Sequence, residues 1–290
     1  MNSARFEFLS TVPEASDGQL EALERFILRS GRVLVLTGAG CSTESGIPDY
    51  RGPGGLWKDH KPIQYQEFIR SLDKRRRYWA RSMVGWRSFA RATPNPTHQA
   101  LAWLEAQGQI DAILTQNVDR LHHAAGSQQV IELHGTNHQV RCLACNLRLT
   151  REELQGSLER LNAGWTAQVM AVAPDGDAAL MTEDFSGFEV PECAQCGGML
   201  KPDVVFFGEN VPPERVAQAF DWLKQADALW VVGSSLTVWS GYRFAKAAAE
   251  AGKPLAVLNI GPTRADPLAS LKLEARCGEL VPRLVERLRA

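Results

Sequence analysis

Four cysteines fall into two C-x-x-C pairs, Cys142-Leu-Ala-Cys145 and Cys193-Ala-Gln-Cys196. Two turns of this spacing bring four thiolates to the corners of a tetrahedron, and soft sulfur ligands favour zinc. Gly197 and Gly198 follow the second pair and suit a knuckle turn. The alternatives are two unrelated thiol pairs or a redox site, but a redox C-x-x-C stands alone beside a βαβ unit. With all four ligands protein-derived, the expected site holds one zinc ion, closed and structural. A second set of residues points to catalysis. Asn117 and Asp119 follow one short apolar run and His134 ends another. The near-neutral pKa of a histidine suits a general base, and Gly135 leaves the His134 ring unobstructed. His60, His98, His122, His123 and His138 take the default reading of structural histidines. Cys41 is read as a small buried hydrophobe.

A third set could hold a nucleotide. Val33 to Leu36 reads as a buried strand that empties into Gly38-Ala39-Gly40. Glycines there let the backbone turn tightly and bring N–H groups close to a phosphate. Ser42, Thr43 and Ser45 add hydroxyl donors where a pyrophosphate would lie. The dinucleotide fingerprint G-x-G-x-x-G, with its carboxylate about 20 residues on, is only partly matched. The third glycine is Gly46, no strand-ending acid follows, and the loop continues into Ile47-Pro-Asp-Tyr-Arg-Gly52.

The elements that must position these groups follow from periodicity. Leu20, Leu23, Phe26 and Ile27 lie on one face of a helix over residues 19–29. A Trp- and Arg-rich helical segment runs over about 64–91, with Trp79, Met83, Trp86 and Ala90 on one face as its packing stripe. Residues 97–107, 213–226, 241–251 and 278–289 read as further helices. Apolar runs at 111–115, 130–133, 204–207, 228–232 and 255–258 join the first strand. Near-continuous apolar strands alternating with helices indicate a parallel sheet covered on both faces. Five strands end in polar or glycine clusters, at Gly38, Gln116, His134, Gly233 and Asn259. In an open α/β sheet such strand ends face one crevice.

Composition narrows the function. A chain of 290 residues is long enough for about two domains. A net charge of −1 offers no footprint for nucleic acid or an anionic membrane, and no apolar run reaches the length of a membrane span. Residues 1–18 lack an apolar signal core and carry Glu7, Glu14 and Asp17, so a cytoplasmic, reducing location is expected.

The run Gly38-Ala-Gly-Cys-Ser-Thr-Glu-Ser-Gly-Ile-Pro-Asp-Tyr-Arg51 resembles the first signature of the sirtuins, NAD-dependent protein-lysine deacylases. Gln116-Asn-Val-Asp119, Glu132-Leu-His-Gly135, the four cysteines, Lys201-Pro-Asp-Val-Val-Phe-Phe-Gly-Glu209, Val232-Gly-Ser-Ser-Leu236 and Leu258-Asn-Ile260 follow in sirtuin order. The resemblance spans nearly the whole chain. It is strongest to the class II branch that includes the mitochondrial lipoamidase type. Trp86 after Val84-Gly85, the long insert between the cysteine pairs and Val238-Trp-Ser-Gly-Tyr-Arg-Phe244 carry that likeness. Tyr50 stands where many members have Phe and can still cover the reacting ribose. Ser240 stands where many have Pro and is expected to loosen the loop flanking the substrate peptide.

The resemblance implies an α/β fold: a Rossmann-like parallel sheet with helices on both faces, a smaller zinc-binding module and a helical insert. The implied boundaries are 1–51, 92–137 and 202–290 for the NAD-binding domain, 52–91 for the insert and 138–201 for the zinc module. By the same resemblance Gly38, Ala39, Gly40, Ser42 and Thr43 hold the pyrophosphate, with Gly233, Ser234 and Ser235 opposite. Asn259, Ile260 and Cys277 surround the adenosine half. Asp119 and the Ile47-Pro48-Asp49 backbone fix the nicotinamide carboxamide, and Tyr50, Arg51 and Gln116 complete the NAD set. The acyl oxygen of a modified lysine displaces nicotinamide, His134 deprotonates a ribose hydroxyl, and Asn117 positions water. Residues 204–209 and 233–240 present strand-like edges to a substrate backbone. Val205, Phe206, Phe207 and Gly208 line the tunnel for the lysine stem.

Three function classes remain. NAD-dependent deacylation of acylated-lysine proteins comes first, and protein mono-ADP-ribosylation at the same site second. The third, a pure NAD-binding module or a dehydrogenase, is disfavoured: a binding module has no need of Asn117, Asp119 and His134 together, and no substrate domain for hydride transfer follows the nucleotide half. Tyr78 and Arg81 stand at i and i+3 on one helical face, where a phenol and a guanidinium could receive a carboxylate. Taken alone, Arg81 is one surface arginine among many. The Tyr-x-x-Arg pattern resembles the acyl-acid selector of desuccinylase-like sirtuins, which implies dicarboxylic or bulky acyl groups over acetyl.

Overall fold

The computed structural model describes residues 14–49, 62–167, 169–181 and 184–290. Its strands are, along the chain, Val33–Thr37 (β1), Ala112–Thr115 (β2), Val130–Glu132 (β3), Gly135–Cys142 (β4), Arg148–Thr150 (β5), Val169–Val172 (β6), Ala178–Leu180 (β7), Leu200–Val204 (β8), Ala228–Val232 (β9), Leu255–Leu258 (β10) and Leu271–Leu273 (β11). The helices are Asp17–Arg29 (α1), Tyr65–Arg70 (α2), Leu72–Phe89 (α3), Pro96–Ala106 (α4), Leu121–Ala124 (α5), Arg151–Leu161 (α6), Pro213–Gln225 (α7), Trp239–Glu250 (α8) and Cys277–Arg289 (α9).

Six strands form one sheet in the order β11-β10-β9-β1-β2-β3, with every pairing parallel. The chain builds outward from β1 to β3 on one side, then returns to β9 and builds outward to β11 on the other. The switch in strand order therefore lies between β1 and β9, where open α/β sheets hold their ligands. Burial on both faces explains the unbroken apolar runs. Val33 and Val35 pack with Leu23 of α1, Leu104 of α4 and Leu284 of α9. Leu34 and Leu36 point the other way, to Leu223 of α7 and Phe244 of α8. Local signals agree: Ser16 and Gln19 form a capping box at α1, and Asn95 caps α4 with Pro96 in its first turn.

A three-stranded sheet, β5-β4-β8, is antiparallel. It shares a core with α3 and α6 through Trp79, Val140, Leu154, Leu158 and Leu200. Two sequence expectations change here. The strand expected at 204–207 is instead β8, and it pairs with β4 outside the parallel sheet. Apolar patterning passed over it because it contains Lys201 and Pro202. The Lys201 stem is fully buried, and its Nζ pairs with Glu209 at 2.9 Å. The single helix expected over 64–91 is two, α2 and α3. They break at Ser71, which is extended and caps α3 by accepting from the Lys74 N–H.

The long gap between the cysteine pairs contains α6 and a two-stranded hairpin, β6-β7. The hairpin turn packs against α3 backbone to backbone. A Cβ on Gly85 would lie 2.0 Å from the Gly176 carbonyl oxygen, so only glycine fits. Among the described residues, no helix is long and apolar enough to cross a membrane.

Candidate active site and zinc centre

A cavity of about 880 Å³ opens at the carboxyl ends of β1, β2, β3, β9 and β10. All five polar strand ends anticipated from the sequence meet there. Gly38, Ala39, Gly40, Ser42, Thr43, Ile47, Asp49, Gln116, Asn117, Asp119, His134, Gly233, Ser234, Ser235, Asn259, Ile260 and Cys277 line it. Pro48 does not line it, and Tyr50 and Arg51 lie outside the described residues.

Two glycine loops form its floor by direct backbone contact. The Gly40 N–H donates to the Gly233 carbonyl at 2.9 Å, and the Gly38 N–H donates to Val232 at 3.2 Å. A Cβ on Gly40 would lie 2.8 Å from the Gly233 oxygen. One on Gly233, whose φ is +63°, would lie 2.5 Å from the Cys41 nitrogen. These contacts hold the two loops side by side along the cavity, where the lining residues Ala39, Ser42, Thr43, Ser234 and Ser235 fit the phosphates of NAD.

Ser42, which lines the cavity, also makes contacts inside the protein. Its hydroxyl donates to Asp119 Oδ2 at 2.7 Å and accepts from Asn117 Nδ2 at 3.0 Å. The one Ser42 proton is thus engaged inside the protein, and the residue orients Asn117 and Asp119. Burial raises the pKa of Asp119, against the Ser42 and Leu121 donors that favour its charge. Gln116 Nε2 donates to Ser234 Oγ at 2.7 Å, tying the β2 end to the β9 end.

His134 is held at both ring nitrogens. Nδ1 lies 2.9 Å from the Gln116 carbonyl, which can only accept. Nδ1 therefore carries the proton and Nε2 the lone pair, which receives the Ser240 hydroxyl at 2.7 Å. Burial, with smaller contributions from Arg215 and Arg243, lowers the His134 pKa to about 4. The near-neutral value expected from the sequence is thus corrected: desolvation keeps the ring neutral well below physiological pH. Ser240, read from the sequence as a loosened loop position, instead fixes this ring.

Val205, Phe206, Phe207 and Gly208 line the cavity on another side. The Val205 N–H donates to the His134 carbonyl at 2.8 Å. Tyr78 also lines it, with its ring 5.1 Å from that of Phe206. Arg81 does not. It is buried behind Asp177, with Nε 3.0 Å from Asp177 Oδ1 and donating to the Ala178 carbonyl at 2.7 Å. Asp175, Asp177 and Asn137, none anticipated from the sequence, face the cavity instead. Tandem Asp-Gly-Asp is an ordinary turn sequence, and only the docking of the hairpin on α3 brings it here.

The four sulfurs of Cys142, Cys145, Cys193 and Cys196 lie within 4.8 Å of one another. Two of the separations are 3.5 Å and 3.7 Å, close to the edge of about 3.8 Å for a tetrahedron with Zn–S bonds of about 2.3 Å. A Cβ on Gly198 would sit 2.8 Å from Cys142 Sγ, so the knuckle requires that glycine. Four soft ligands with no open position fit a structural zinc ion.

Fold and site together define a dinucleotide-binding α/β protein with a separate metal centre built from four cysteines. A model of the Sir2 family matches residues 38–240. The chain is 59% identical over 258 residues to an NAD-dependent protein deacetylase of Xanthomonas campestris pv. campestris, covering 89% of this chain and 88% of that protein. It is 51% identical over 278 residues to the mitochondrial NAD-dependent protein lipoamidase sirtuin-4 of Bos taurus, covering 95% and 88% respectively. A solved Sir2 enzyme superposes with a TM-score of 0.76 at 33% identity, covering 94% of this chain and 99% of that one. A Sir2 complex with a p53 peptide and NAD+ gives 0.75 at 30% identity, covering 93% and 98%. The chain belongs to the Sir2 family, the sirtuins, and is an NAD-dependent protein deacylase of that type.

Proposed function

We propose that this sirtuin removes acyl groups from protein lysines, releasing nicotinamide and O-acyl-ADP-ribose, with acyl chains bulkier than acetyl, acidic ones among them, as its better substrates. Bound NAD supplies the ADP-ribosyl group and nicotinamide as leaving group. The observation that carries the reading is the neutral His134 ring in the wall of the cavity that also holds the glycine cradle, its Nε2 lone pair accepting from the Ser240 hydroxyl, whose place a ribose hydroxyl would take. His134 takes a ribose hydroxyl proton at Nε2, and Gln116 holds the ring in the tautomer that permits it. Asn117 and Asp119, both fastened to Ser42, orient the nicotinamide end and a water. The strip from Val205 to Gly208 excludes bulk water along the lysine stem.

The cavity lining includes, besides Phe206, Tyr78 and the hairpin residues Pro174, Asp175 and Asp177, which supports a preference for larger acyl groups. Of the expected selector pair, Tyr78 lines the cavity, and Arg81 pairs with the lining residue Asp177 without lining the cavity itself. We also propose that residues 1–51, 92–137 and 202–290 act as the NAD-binding domain, 52–91 as a helical insert and 138–201 as the zinc module. A reducing, cytoplasmic setting is part of the same reading, since it would keep the four C-x-x-C thiols available to a metal.

Incubation with NAD and a panel of acyl-lysine peptides tests the reaction, with mass spectrometry of the nucleotide product. O-acyl-ADP-ribose supports deacylation. ADP-ribose attached to protein, without acyl transfer, would make the chain a mono-ADP-ribosyltransferase instead.

A further inference from the structure

The end of the cavity beyond Tyr78 is closed by the turn of the β6-β7 hairpin. That turn is fastened on two sides. Asn137, three positions beyond His134 on β4, donates from its side chain to the Asp175 carbonyl, and the Asn137 N–H donates to Val118 at 3.0 Å. On the other side Gly176 packs against Gly85 and Phe89 of α3. Asp177 is thereby set between the cavity and Arg81, with its carboxylate 3.0 Å from the guanidinium Nε.

We infer that Asp177 acts as an internal stand-in for the carboxylate of an acidic acyl group, masking Arg81 until a dicarboxylic acyl-lysine displaces it. The inference rests on the deacylase reading and adds a specificity-determining residue to it. Three features carry it. Asp177 lines the cavity while Arg81, one layer behind, does not. Arg81 is 8% exposed, and its Nε is engaged by the Asp177 carboxylate and the Ala178 carbonyl. The exchange is of like for like, because an incoming carboxylate restores the ion pair that it breaks, as a neutral acyl chain cannot.

The displaced Asp177 has two means of accommodation. Arg77, one turn earlier on α3, already draws on its charge. It can also take a proton: burial, together with the neighbouring Asp175, pushes the Asp177 pKa up, and displacement removes the Arg81 charge that opposes this. Tyr78, on the same face, is buried and neutral. The mask thus weakens the enzyme toward acidic acyl groups relative to an unmasked Arg81, and leaves neutral chains, which do not displace it, unaffected.

The test compares kcat/KM for matched glutaryl- and acetyl-lysine peptides with the parent, Asp177→Asn, Arg81→Met and the double variant. It also measures binding of the glutaryl peptide by calorimetry, in the presence and absence of NAD. Asp177→Asn is expected to raise the glutaryl-to-acetyl ratio about tenfold and to tighten glutaryl-peptide binding by a similar factor. Both gains are expected to vanish in the Arg81→Met background. A ratio and an affinity unchanged or lowered by Asp177→Asn would overturn the inference. So would a gain that persists without Arg81, since that reports only the loss of a negative charge. If the parent turns over no acyl peptide, the deacylase reading fails, and the calorimetric arm alone decides whether Asp177 masks Arg81.

Discussion

His134 is a neutral acceptor before any substrate arrives, and this has a measurable consequence. A group whose folded pKa is lowered stays deprotonated further into acid. If His134 is the base, as proposed, its active, unprotonated form therefore persists down to a pH of about 4. An unperturbed histidine would lose about three-quarters of kcat/KM at pH 6, because its pKa is about 6.5. We expect kcat/KM to be nearly level between pH 7.5 and 6, and an acid limb centred near 6.5 would refute this electrostatic account. Replacing the residue, His134→Ala, should lower turnover at least about 10²-fold while NAD binding, followed by calorimetry, stays near the parental value. Activity within a few-fold of the parent would remove His134 from the role of base. At this scale the sequence was readable wherever a residue type itself carries the constraint. Gly40 and Gly233 are glycine because any Cβ collides, and the four cysteines are spaced for a metal. Ser240 and Asp177 were unreadable, since a serine on a helix and an aspartate in a turn acquire meaning only from what lies opposite.

Among the elements, those buried on both faces announced themselves. The strands β1, β9 and β10 are buried throughout, and apolar but for Thr37 at the end of β1, because helices cover each side. β4 reads as Gly-Thr-Asn-His-Gln-Val-Arg-Cys, too polar to be noticed. It is a strand because β5 and β8 satisfy its backbone on both edges. The hairpin β6-β7 depends likewise on its dock, which gives a test. Gly85→Ala would place a methyl 2.0 Å from the Gly176 oxygen, so the turn must lift from α3. The expected cost is about 1–3 kcal/mol, the scale of overpacking, read as a lowered melting temperature with earlier proteolysis in the hairpin. Unchanged melting and digestion would show that the dock contributes nothing. The cysteine knuckles sit at one end of β4 and before β8, so removing their zinc should loosen that sheet. A fall in the melting transition on the order of 10 °C is expected on chelation, and an unaltered transition with full activity would contradict a structural role.

At the scale of the molecule, the switch between β1 and β9 makes one cavity out of strand ends from distant parts of the chain. Ligand binding there should therefore stabilise the fold as a whole. With NAD at 100 times its Kd, linkage gives about 2.7 kcal/mol, seen as a single upward shift in melting temperature. Gly233→Ala, at φ +63° and with no room for a Cβ, should abolish the shift. A variant that retains it would mean that the glycine cradle is not where NAD binds. The parallel sheet was legible from alternating apolar runs and helices. The antiparallel unit beside it was not, because Lys201 and Pro202 disguise β8, and its pairing with β4 joins segments about sixty residues apart.

The hydrogen bond from the Val205 amide to the His134 carbonyl spans 2.8 Å. It turns a peptide proton into a gauge of the His134 ring. Whatever tugs on the segment from Val205 to Gly208 also tugs on the backbone that carries the imidazole, so a peptide bound along that segment, as proposed, would transmit a poor fit to the ring. The exchange of that one amide with heavy water, followed as different acyl peptides are added, would record how firmly each of them sets the ring, with no turnover required.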